Sequence, residues 1–275
     1  MVRLKSYAKI NLSLDIIRKL DSGYHEINTV LHQTGLYDII TLRNIDKGIK
    51  IACNNKDIPS DSSNLAYKSA NLLKKKFNIN TGIEINIEKK IPVGAGLGGG
   101  SSNAAAVLKG LNALWNLNLD DAQLQKLGSE IGMDVPFFII GGTAFGSGKG
   151  EILRKINHNL NFNILLVFPD IKIDTKKAYQ NVVLNQNKKS SIKAEKALLD
   201  NDFGELIKNM HNDFELTVFS KYPKIAELKN FFKKNKNNAL MSGSGSSVFC
   251  LSQHKEELKI IYNAIKNSYK KIFLL

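Results

Sequence analysis

The stretch Pro92-Val-Gly-Ala-Gly-Leu-Gly-Gly-Gly-Ser-Ser-Asn103 decides how this chain is interpreted. It follows a segment that alternates like a strand, and it precedes a run of alanines and leucines at helical spacing. Glycines let a backbone approach a phosphate closely, and the free N–H groups at the start of a helix attract anions. Five glycines in seven positions also cost conformational entropy that a plain connector need not lose. The stretch therefore predicts a phosphate-binding loop rather than a plain connector.

Two other glycine-rich phosphate motifs fit the sequence less well. The spacing Gly94-x-Gly96-x-x-Gly99 matches a dinucleotide fingerprint, but several β segments precede it. The acids about 20 residues further on, Asp120 and Asp121, start a helix instead of ending a second parallel strand. A Walker loop needs Ser or Thr after its Gly-Lys pair, whereas the chain has Gly148-Lys149-Gly150. Both motifs are therefore disfavoured.

The composition indicates a globular protein of one large domain or two moderate ones. The chain has 275 residues, of which 43% are hydrophobic, and this is enough for a substantial core. No apolar run reaches the roughly 18–20 residues of a membrane span, and the amino terminus lacks the apolar core of a signal peptide. Cys53 and Cys250 lie far apart with no neighbouring His or Cys at metal-ligand spacing. We therefore expect a cytoplasmic protein with buried thiols and no membrane partner.

The net charge of +14 has three explanations. It agrees with an anionic substrate, with a nucleic-acid partner, or with a generally lysine-rich composition. The lysine clusters at residues 74–76 and 233–234 lie on or beside amphipathic patterns and form no basic stripe interleaved with aromatic residues. We therefore expect no nucleic-acid partner, although the charge would favour capture of an anion.

Hydrophobic periodicity predicts a mostly β-structured first third and a mixed remainder, with a boundary near residues 152–160. Strands are predicted at residues 5–17, 36–42, 49–53, 83–88, 137–146, 152–153, 162–168, 239–241, 246–251 and 271–275. Helices are predicted at residues 63–77, 101–115, 120–131, 175–180, 192–200, 203–218, 223–234 and 255–267. The glycine-rich stretch thus lies between a strand and a helix.

Three separated segments resemble the signature motifs of the GHMP kinase superfamily of galacto-, homoserine, mevalonate and phosphomevalonate kinases. They are Ala8-Lys-Ile-Asn-Leu12, the glycine-rich stretch extended to Ala104, and Ala239-Leu-Met-Ser-Gly-Ser-Gly-Ser-Ser247. Their order and spacing cover nearly the entire chain. The resemblance implies a two-lobed α+β GHMP kinase fold, with a mixed, β-rich amino-terminal nucleotide lobe over residues 1–153. It also implies an α+β carboxy-terminal substrate lobe over residues 154–275 and a cleft between the lobes.

The resemblance is sharper to one family of that superfamily, the 4-diphosphocytidyl-2-C-methyl-D-erythritol kinases. It rests on Gly23-Tyr-His25, Gly98-Gly-Gly-Ser-Ser-Asn103 and Gly132-Met-Asp-Val-Pro136. This resemblance implies an enzyme that uses ATP and Mg²⁺ to phosphorylate the 2-hydroxyl of a cytidine diphosphate-linked sugar alcohol. The reaction belongs to non-mevalonate isoprenoid precursor biosynthesis. We expect a monomer or a weak homodimer. One alternative is a GHMP kinase of the homoserine or mevalonate type, whose substrates would not require Gly23-Tyr-His25. A basic nucleic-acid-binding protein is the other.

The resemblance assigns two catalytic residues, Asp134 and Lys9. Asp134 would take the proton of the hydroxyl, and Lys9 would keep that carboxylate ionised and steady the developing charge. From the residues alone, an Asp in an apolar segment needs a partner, and helix capping or a structural ion pair would also explain it. A lysine in an alternating strand is more often exposed, so the position of Lys9 alone does not indicate catalysis.

The resemblance assigns ATP binding to the glycine-rich stretch and to the start of the first helix. The ATP-binding residues are Pro92, Val93, Gly94, Ala95, Gly96, Leu97, Gly98, Gly99, Gly100, Ser101, Ser102 and, beside the adenine, Asn64. Either serine could reach a phosphate or metal oxygen. The sequence does not select between them and leaves the metal ligands open.

The resemblance also assigns the substrate site, with a cytidine handle as its distinguishing part. The substrate-binding residues are Asn11, Tyr24, His25, Thr175, Tyr179, Gly243, Ser244 and Gly245. A pyrimidine fits between the rings of Tyr24 and Tyr179, and an imidazole can hydrogen-bond its edge. Without the resemblance, Tyr24 and His25 could equally be a loop tip that packs on the core. The glycines at 243 and 245 would supply further backbone donors near the transferred phosphate, or form a plain hairpin.

Overall fold

A computed structural model of the chain describes residues 1–182, 184, 189–235 and 238–275. Its strands are β1 Val2–Lys19, β2 His25–Ile45, β3 Ile49–Cys53, β4 Gly82–Glu88, β5 Thr143–Ser147, β6 Ile152–Lys155, β7 Asn163–Phe168, β8 His211–Asn212, β9 Ala239–Met241, β10 Val248–Ser252 and β11 Lys271–Leu274. Its helices are α1 Leu65–Lys76, α2 Gly99–Leu114, α3 Asp121–Ile131, α4 Val135–Ile140, α5 Thr175–Gln180, α6 Ser190–Leu199, α7 Phe203–Lys208, α8 Phe214–Lys221, α9 Pro223–Lys234 and α10 Lys255–Ile265.

The chain divides into two compact units that alternate along the sequence. The first unit comprises Met1–Ala8, Gly35–Val93 and Gly98–Gly141, and the second comprises Lys9–Thr34, Gly94–Leu97 and Gly142–Leu275. Strands β1 and β2 and the glycine-rich stretch therefore contribute residues to both units. The domain division at residues 153 and 154 stays a prediction.

The first unit combines a sheet with four helices. Strand β4 pairs antiparallel with the end of β2 and parallel with β3. Ile83, Ile85 and Ile87 alternate along β4 and are fully buried, as the predicted period of two requires. Helix α1 packs on α2, and α3 packs on α4. The small residues of α2, among them Ala104 and Ala105, let it approach its neighbours closely.

The second unit contains a four-stranded antiparallel sheet in the order β11-β7-β10-β9. Strand β5 pairs with β6 and with the start of β2, and β8 pairs in parallel with β1. The large side chains of Phe168, Phe214, Phe232 and Phe249 fill the core of the unit. Among the residues that the structure describes, no helix has both the length and the apolar character to cross a bilayer.

Most predicted elements are confirmed, including the helix that Asp120 begins. The Asp120 carboxylate accepts the amide of Gln123 at 2.8 Å, and the Gln123 side chain accepts the amide of Asp120, which completes a capping box. The predicted strand at 137–146 is wrong in its first half, because residues 137–140 belong to α4. Residues 137–139 are all buried and apolar, so their periodicity cannot separate a helix from a strand. Pro136 in the first turn favours the helix.

The predicted helix at 203–218 is wrong in its middle, where β8 separates α7 from α8. Asn209 ends α7, and its side chain donates to the carbonyl of Glu205 at 2.8 Å. Asparagine side chains that bond to nearby backbone compete with helix continuation. His211 then takes a place opposite Ser13 of β1. The amphipathic pattern continues across this break, and for that reason periodicity alone does not reveal it.

Candidate active site

Four residues of the glycine-rich stretch, Gly94–Leu97, belong to the second unit and lie against the loop after β9. A Cβ atom on Gly96, whose φ is +76°, would overlap the carbonyl oxygen of Ser242. The Ser242 hydroxyl donates to the Gly96 carbonyl at 3.0 Å, and the Ser247 amide donates to the Ala95 carbonyl at 3.1 Å. Ile173 donates its amide to the Gly94 carbonyl at 3.2 Å. Glycine is therefore required at position 96 for a backbone contact.

The second half of the stretch starts α2 in the first unit. Gly98 precedes the helix in a left-handed conformation, with φ of +68°, and its carbonyl accepts the amide of Ser102 at 2.9 Å. The amide groups of the first helical turn thus point beyond the end of the helix, as anion binding requires. Gly94 and Gly100 are exposed, whereas Pro92 is buried. The predicted phosphate loop has the backbone geometry that this chemistry needs.

The two serines after the glycines differ in their surroundings within the first unit. The Ser102 side chain is buried, and its hydroxyl accepts the hydroxyl of Ser6 at 2.7 Å. Ser101 is only partly buried. The structure therefore favours Ser101 over Ser102 as a contact for a phosphate or a metal.

A buried polar network that the sequence analysis missed holds the residues on either side of this loop. The Asp38 carboxylate, 0% exposed, accepts the amides of Lys90 at 2.7 Å and Ile91 at 2.8 Å. It also pairs with the Lys89 ammonium group and accepts the Asn103 side chain at 2.9 Å. Asp38 therefore connects the strand before the loop to the helix after it. Its signal in the sequence is a carboxylate between Leu36 and Ile40 on the apolar face of an alternating strand.

The Asn64 side chain caps α1. Its Oδ1 accepts the amide of Ala66 at 2.9 Å, and its Nδ2 donates to the carbonyl of Pro59 at 2.7 Å. An adenine contact would have to use the remaining hydrogen-bonding capacity of this side chain. Its role in ATP binding stays a prediction.

Asp134 precedes α4 in the first unit, but its side chain makes no capping hydrogen bond to that helix. The capping role that would also explain an Asp at this position is therefore wrong. Asp134 is partly buried. Its assignment as the proton acceptor stays a prediction.

Lys9, Asn11 and Gly243 lie together in the second unit. Lys9 is buried, with 5% of its surface exposed, although a lysine in a strand is more often exposed. Its ammonium group donates to Asn11 Oδ1 at 2.6 Å, and Asn11 Nδ2 donates to the Thr29 hydroxyl at 2.8 Å. A Cβ atom on Gly243 would lie 3.1 Å from the Lys9 ammonium and 3.2 Å from the Gly96 carbonyl. The cluster thus combines predicted catalytic, ATP-binding and substrate-binding residues.

The loop that carries Gly243–Gly245 is held by an asparagine that the sequence analysis missed. Asn212 Nδ2 donates to the carbonyls of Met241 at 2.7 Å and Gly243 at 2.8 Å. The Gly245 amide donates to the Ser242 carbonyl at 2.9 Å, which closes a tight turn. Because the Gly245 amide is used in this turn, the backbone donors predicted for a phosphate are limited to the amides of Gly243 and Ser244. A polar Asn-Asp pair between two amphipathic patterns is the only signal for Asn212 in the sequence.

Thr175 and Ser244, both predicted to bind substrate, contact each other. Their hydroxyl groups are 2.9 Å apart. Thr175 begins α5, which Asp174 caps by accepting the amide of Lys177 at 3.1 Å. This capped helix therefore brings Thr175 to the loop that carries Ser244.

The predicted cytidine residues form a stacked pair within the second unit. The rings of His25 and Tyr179 are 5.1 Å apart and inclined by 24°. The ring centroids of Phe214 and Tyr179 are 4.7 Å apart, and the two rings meet edge-on. Burial, with a smaller effect from the charge of Lys19, lowers the pKa of His25. A neutral imidazole offers one donor and one acceptor, which suits the edge of a pyrimidine.

Tyr24 lies next to this pair in the sequence but has a different environment. It is 51% exposed, and the Lys149 ammonium lies 4.7 Å from the centre of its ring. The Tyr24 face is therefore available to a ligand at the cost of one cation–π contact. The sandwich between Tyr24 and Tyr179 stays a prediction.

These units and this loop define a class of enzyme. The protein-family model for the GHMP kinases N terminal domain matches residues 64–142, which include the glycine-rich stretch and Asp134. The model described as GHMP kinases C terminal matches residues 194–271, which include Asn212 and Gly243. A crystal structure of homoserine kinase from Cytophaga hutchinsonii covers 99% of this chain and 94% of its own, with a TM-score of 0.75 at 21% identity. The chain is an ATP-dependent GHMP kinase with the α+β fold of that superfamily.

Closer relatives give the family. A 4-diphosphocytidyl-2-C-methyl-D-erythritol kinase of Acetivibrio thermocellus is 40% identical over 99% of this chain and 98% of its own. That of Caldicellulosiruptor bescii is 42% identical over 99% of this chain and 95% of its own. A crystal structure of 4-(cytidine 5'-diphospho)-2C-methyl-D-erythritol kinase has a TM-score of 0.82 and 28% identity, and covers 99% and 98% of the two chains. The chain belongs to the family of 4-diphosphocytidyl-2-C-methyl-D-erythritol kinases.

Proposed function

We propose that this chain transfers the γ-phosphoryl group of ATP to the 2-hydroxyl of 4-diphosphocytidyl-2-C-methyl-D-erythritol. The observation that carries the choice of substrate within the superfamily is the stacked pair of His25 and Tyr179. Homoserine and mevalonate have no aromatic base and would gain nothing from a stacked imidazole next to an exposed tyrosine. A cytosine ring has both a π face and a hydrogen-bonding edge.

The proposed chemistry assigns the proton to Asp134 and the negative charge to Lys9. Asp134 accepts the proton of the 2-hydroxyl as the oxygen attacks the γ-phosphorus and the bond to ADP breaks. Lys9 is buried and carries a fixed hydrogen bond to Asn11, so its charge is already oriented before the substrate binds. The loose transition state of phosphoryl transfer makes this orientation more important than the strength of the base.

The glycine-rich loop binds the phosphates of ATP in this proposal. The amides of the first turn of α2 and the positive end of its dipole provide the binding groups. Mg²⁺ bound with ATP would neutralise part of the phosphate charge, and the Ser101 hydroxyl fits the preference of this ion for oxygen ligands. Ser102 is bonded to Ser6 and serves to position the loop. Asn64 would contact the adenine from the start of α1.

Substrate positioning falls to residues of the second unit. Tyr24 and Tyr179 would hold the two faces of the cytosine, and His25 would bond its edge. Asn11, Thr175 and the Gly243–Gly245 loop would bind the diphosphate and the sugar alcohol. The cytoplasmic location and the monomeric or weakly dimeric state remain predictions from the sequence.

The test of this function is a substrate comparison. The purified chain is mixed with Mg-ATP and, in separate reactions, with 4-diphosphocytidyl-2-C-methyl-D-erythritol, mevalonate or homoserine, and ADP release is measured. We expect turnover only with the cytidyl substrate. Turnover with another alcohol would contradict the cytidine assignment but keep the kinase class.

A further inference from the structure

Three side chains outside the proposed kinase site cluster where β1 pairs with β8. Asp15, His211 and Asp213 each offer one ligand atom, and these atoms all lie within 4.8 Å of one another. Asp15 is 1% exposed and Asp213 is 6% exposed, whereas the His211 ring is partly exposed. His211 Nε2 lies 2.8 Å from Asp213 Oδ1. The cluster thus joins two buried carboxylates and one imidazole.

The two carboxylates are oriented by backbone amides. Asp15 Oδ2 accepts the amide of Ser191 at 2.8 Å, and Asp213 Oδ2 accepts the amide of Ile16 at 2.7 Å. Asp15 thereby keeps its second oxygen, Oδ1, for another interaction, whereas Asp213 Oδ1 already lies 2.8 Å from His211 Nε2. Hydrogen bonds of this kind hold the ligands of metal sites in position.

One of these second oxygens has no hydrogen bond. Asp15 Oδ1 is buried and lacks a partner among the atoms that the structure describes. A carboxylate oxygen buried in this way has lost its hydration, and a positive charge or a donor has to approach it to compensate. A single positive charge would neutralise only one of the two carboxylates, whereas a divalent cation would neutralise both.

We propose that Asp15, His211 and Asp213 bind a divalent transition-metal ion of the Zn²⁺ or Mn²⁺ type. One imidazole nitrogen and two carboxylate oxygens are ligands that both ions accept. In a tetrahedral site with bonds of about 2.1 Å, two ligand atoms lie about 3.4 Å apart. The cluster therefore needs only small adjustments to surround an ion. The ion links β1 and β8 to the start of α6, where Ser191 lies.

The role of this site is structural and separate from phosphoryl transfer. Lys9 and Asp15 are six positions apart along β1, and at about 3.3 Å per residue this amounts to about 20 Å. The ion would therefore be too far from Lys9 to contact the same phosphate. The Mg²⁺ that accompanies ATP is a different ion in a different place.

The test measures metal binding and thermal stability without reference to catalysis. The chain is purified without a histidine tag, stripped with EDTA, dialysed and titrated with Zn²⁺ and with Mn²⁺ in a calorimeter. We expect one equivalent of at least one of the two ions to bind. We also expect Tm to rise by about 5–10 °C at a free metal concentration near 100 times Kd.

Matched variants identify the ligands. Asp15→Asn and His211→Gln are each expected to abolish the one-equivalent binding and the rise in Tm. The controls Asp200→Asn and His254→Gln, at exposed positions, are expected to bind like the wild type. Circular dichroism establishes that each variant is folded, and His211→Gln, at a partly exposed position, is the second variant if Asp15→Asn does not fold.

Two results would overturn the proposal. The first is a wild-type chain that binds neither ion at one equivalent. The second is binding that both ligand variants retain at wild-type affinity. If Asp15→Asn is more stable than a metal-free wild type that binds no ion, then the cluster is only a strained pair of carboxylates, and the proposal is wrong.

Discussion

Two buried aspartates, Asp38 in the first unit and Asp15 in the second, differ in how fully they are hydrogen-bonded. Asp38 accepts two backbone amides and the side chains of Lys89 and Asn103, so both of its oxygens are used. Asp15 accepts the amide of Ser191 with one oxygen, while the other has no hydrogen-bond partner among the described atoms. Burial of a carboxylate is therefore not itself a sign of function. A buried carboxylate with complete hydrogen bonding supports the fold, and one with incomplete hydrogen bonding is a candidate metal ligand.

The largest expected effect extends this contrast to a third aspartate. Asp134 makes no capping bond, so the substitution Asp134→Asn is expected to leave Tm within about 1 °C and to lower kcat by roughly 10²- to 10⁴-fold. ADP release under saturating Mg-ATP and substrate measures the rate. Asp121→Asn, at an exposed position in the first turn of α3, is the control with unchanged kcat. A near-normal kcat for Asp134→Asn would remove its assigned role.

The opposite result is expected for the fully bonded aspartate. Asp38→Asn leaves the Lys89 ammonium in a buried site without its counter-charge, so we expect a loss of about 3–5 kcal/mol in the free energy of unfolding. Urea unfolding followed by circular dichroism measures it. Glu205→Gln, which breaks the exposed pair with Lys208, is expected to have a much smaller effect on the free energy of unfolding. Equal costs for both variants would show that the Asp38 network is not a main support of the loop.

A smaller effect tests the cytidine site. Tyr179→Ala removes the ring that stacks on His25, and Tyr24→Ala removes the exposed ring beside it. Each is expected to raise KM for the cytidyl substrate about 3- to 10-fold, the range expected for one aromatic pair, with KM for ATP unchanged. Tyr179→Phe keeps the stacking surface and is expected to have a KM for the cytidyl substrate close to that of the wild type. Equal changes in both KM values would contradict a sandwich around the base.

The last expected effect concerns a partly buried histidine and is confined to acidic pH. His32 Nδ1 lies 2.8 Å from the Thr143 hydroxyl, and burial, with His158 nearby, lowers the pKa of His32 from 6.5 to about 4. The unfolded chain therefore binds a proton that the folded chain does not bind between about pH 6.5 and pH 4. The contribution of His32 to the free energy of unfolding is constant above this window and falls within it by up to about 1.4 kcal/mol per pH unit as the pH is lowered.

The variant that checks this effect is His32→Phe. Its stability, measured by urea unfolding at several pH values, is expected to decline less steeply between pH 6.5 and pH 4 than that of the wild type. His254→Gln, at an exposed position, is expected to retain the wild-type slope. If the free energy of unfolding of His32→Phe falls as steeply with decreasing pH as that of the wild type, then other groups cause the loss of stability in acid.

The sequence predicts most of the fold because its periodicities are strong. The alternating isoleucines of β4 and the capping residues of α3 agree with the structure, and the family models match both parts of the chain. Residues 137–140 were wrongly assigned to a strand, because a continuous apolar segment has no polar face to reveal its period. Asn212 and Asp38 were missed because their partners lie 29 to 65 residues away, and local patterns do not record such distances.

The contact between Gly96 and Ser242 joins positions that are 146 residues apart in the chain. Contacts between distant positions require the closure of a long loop, and they form late when a protein folds. The segment Gly94–Leu97 thus cannot take its final shape while β9 and the turn after it are unfolded. During refolding we expect helical structure to return before ATP binding does, so the capacity to bind ATP reports the completion of folding rather than its beginning.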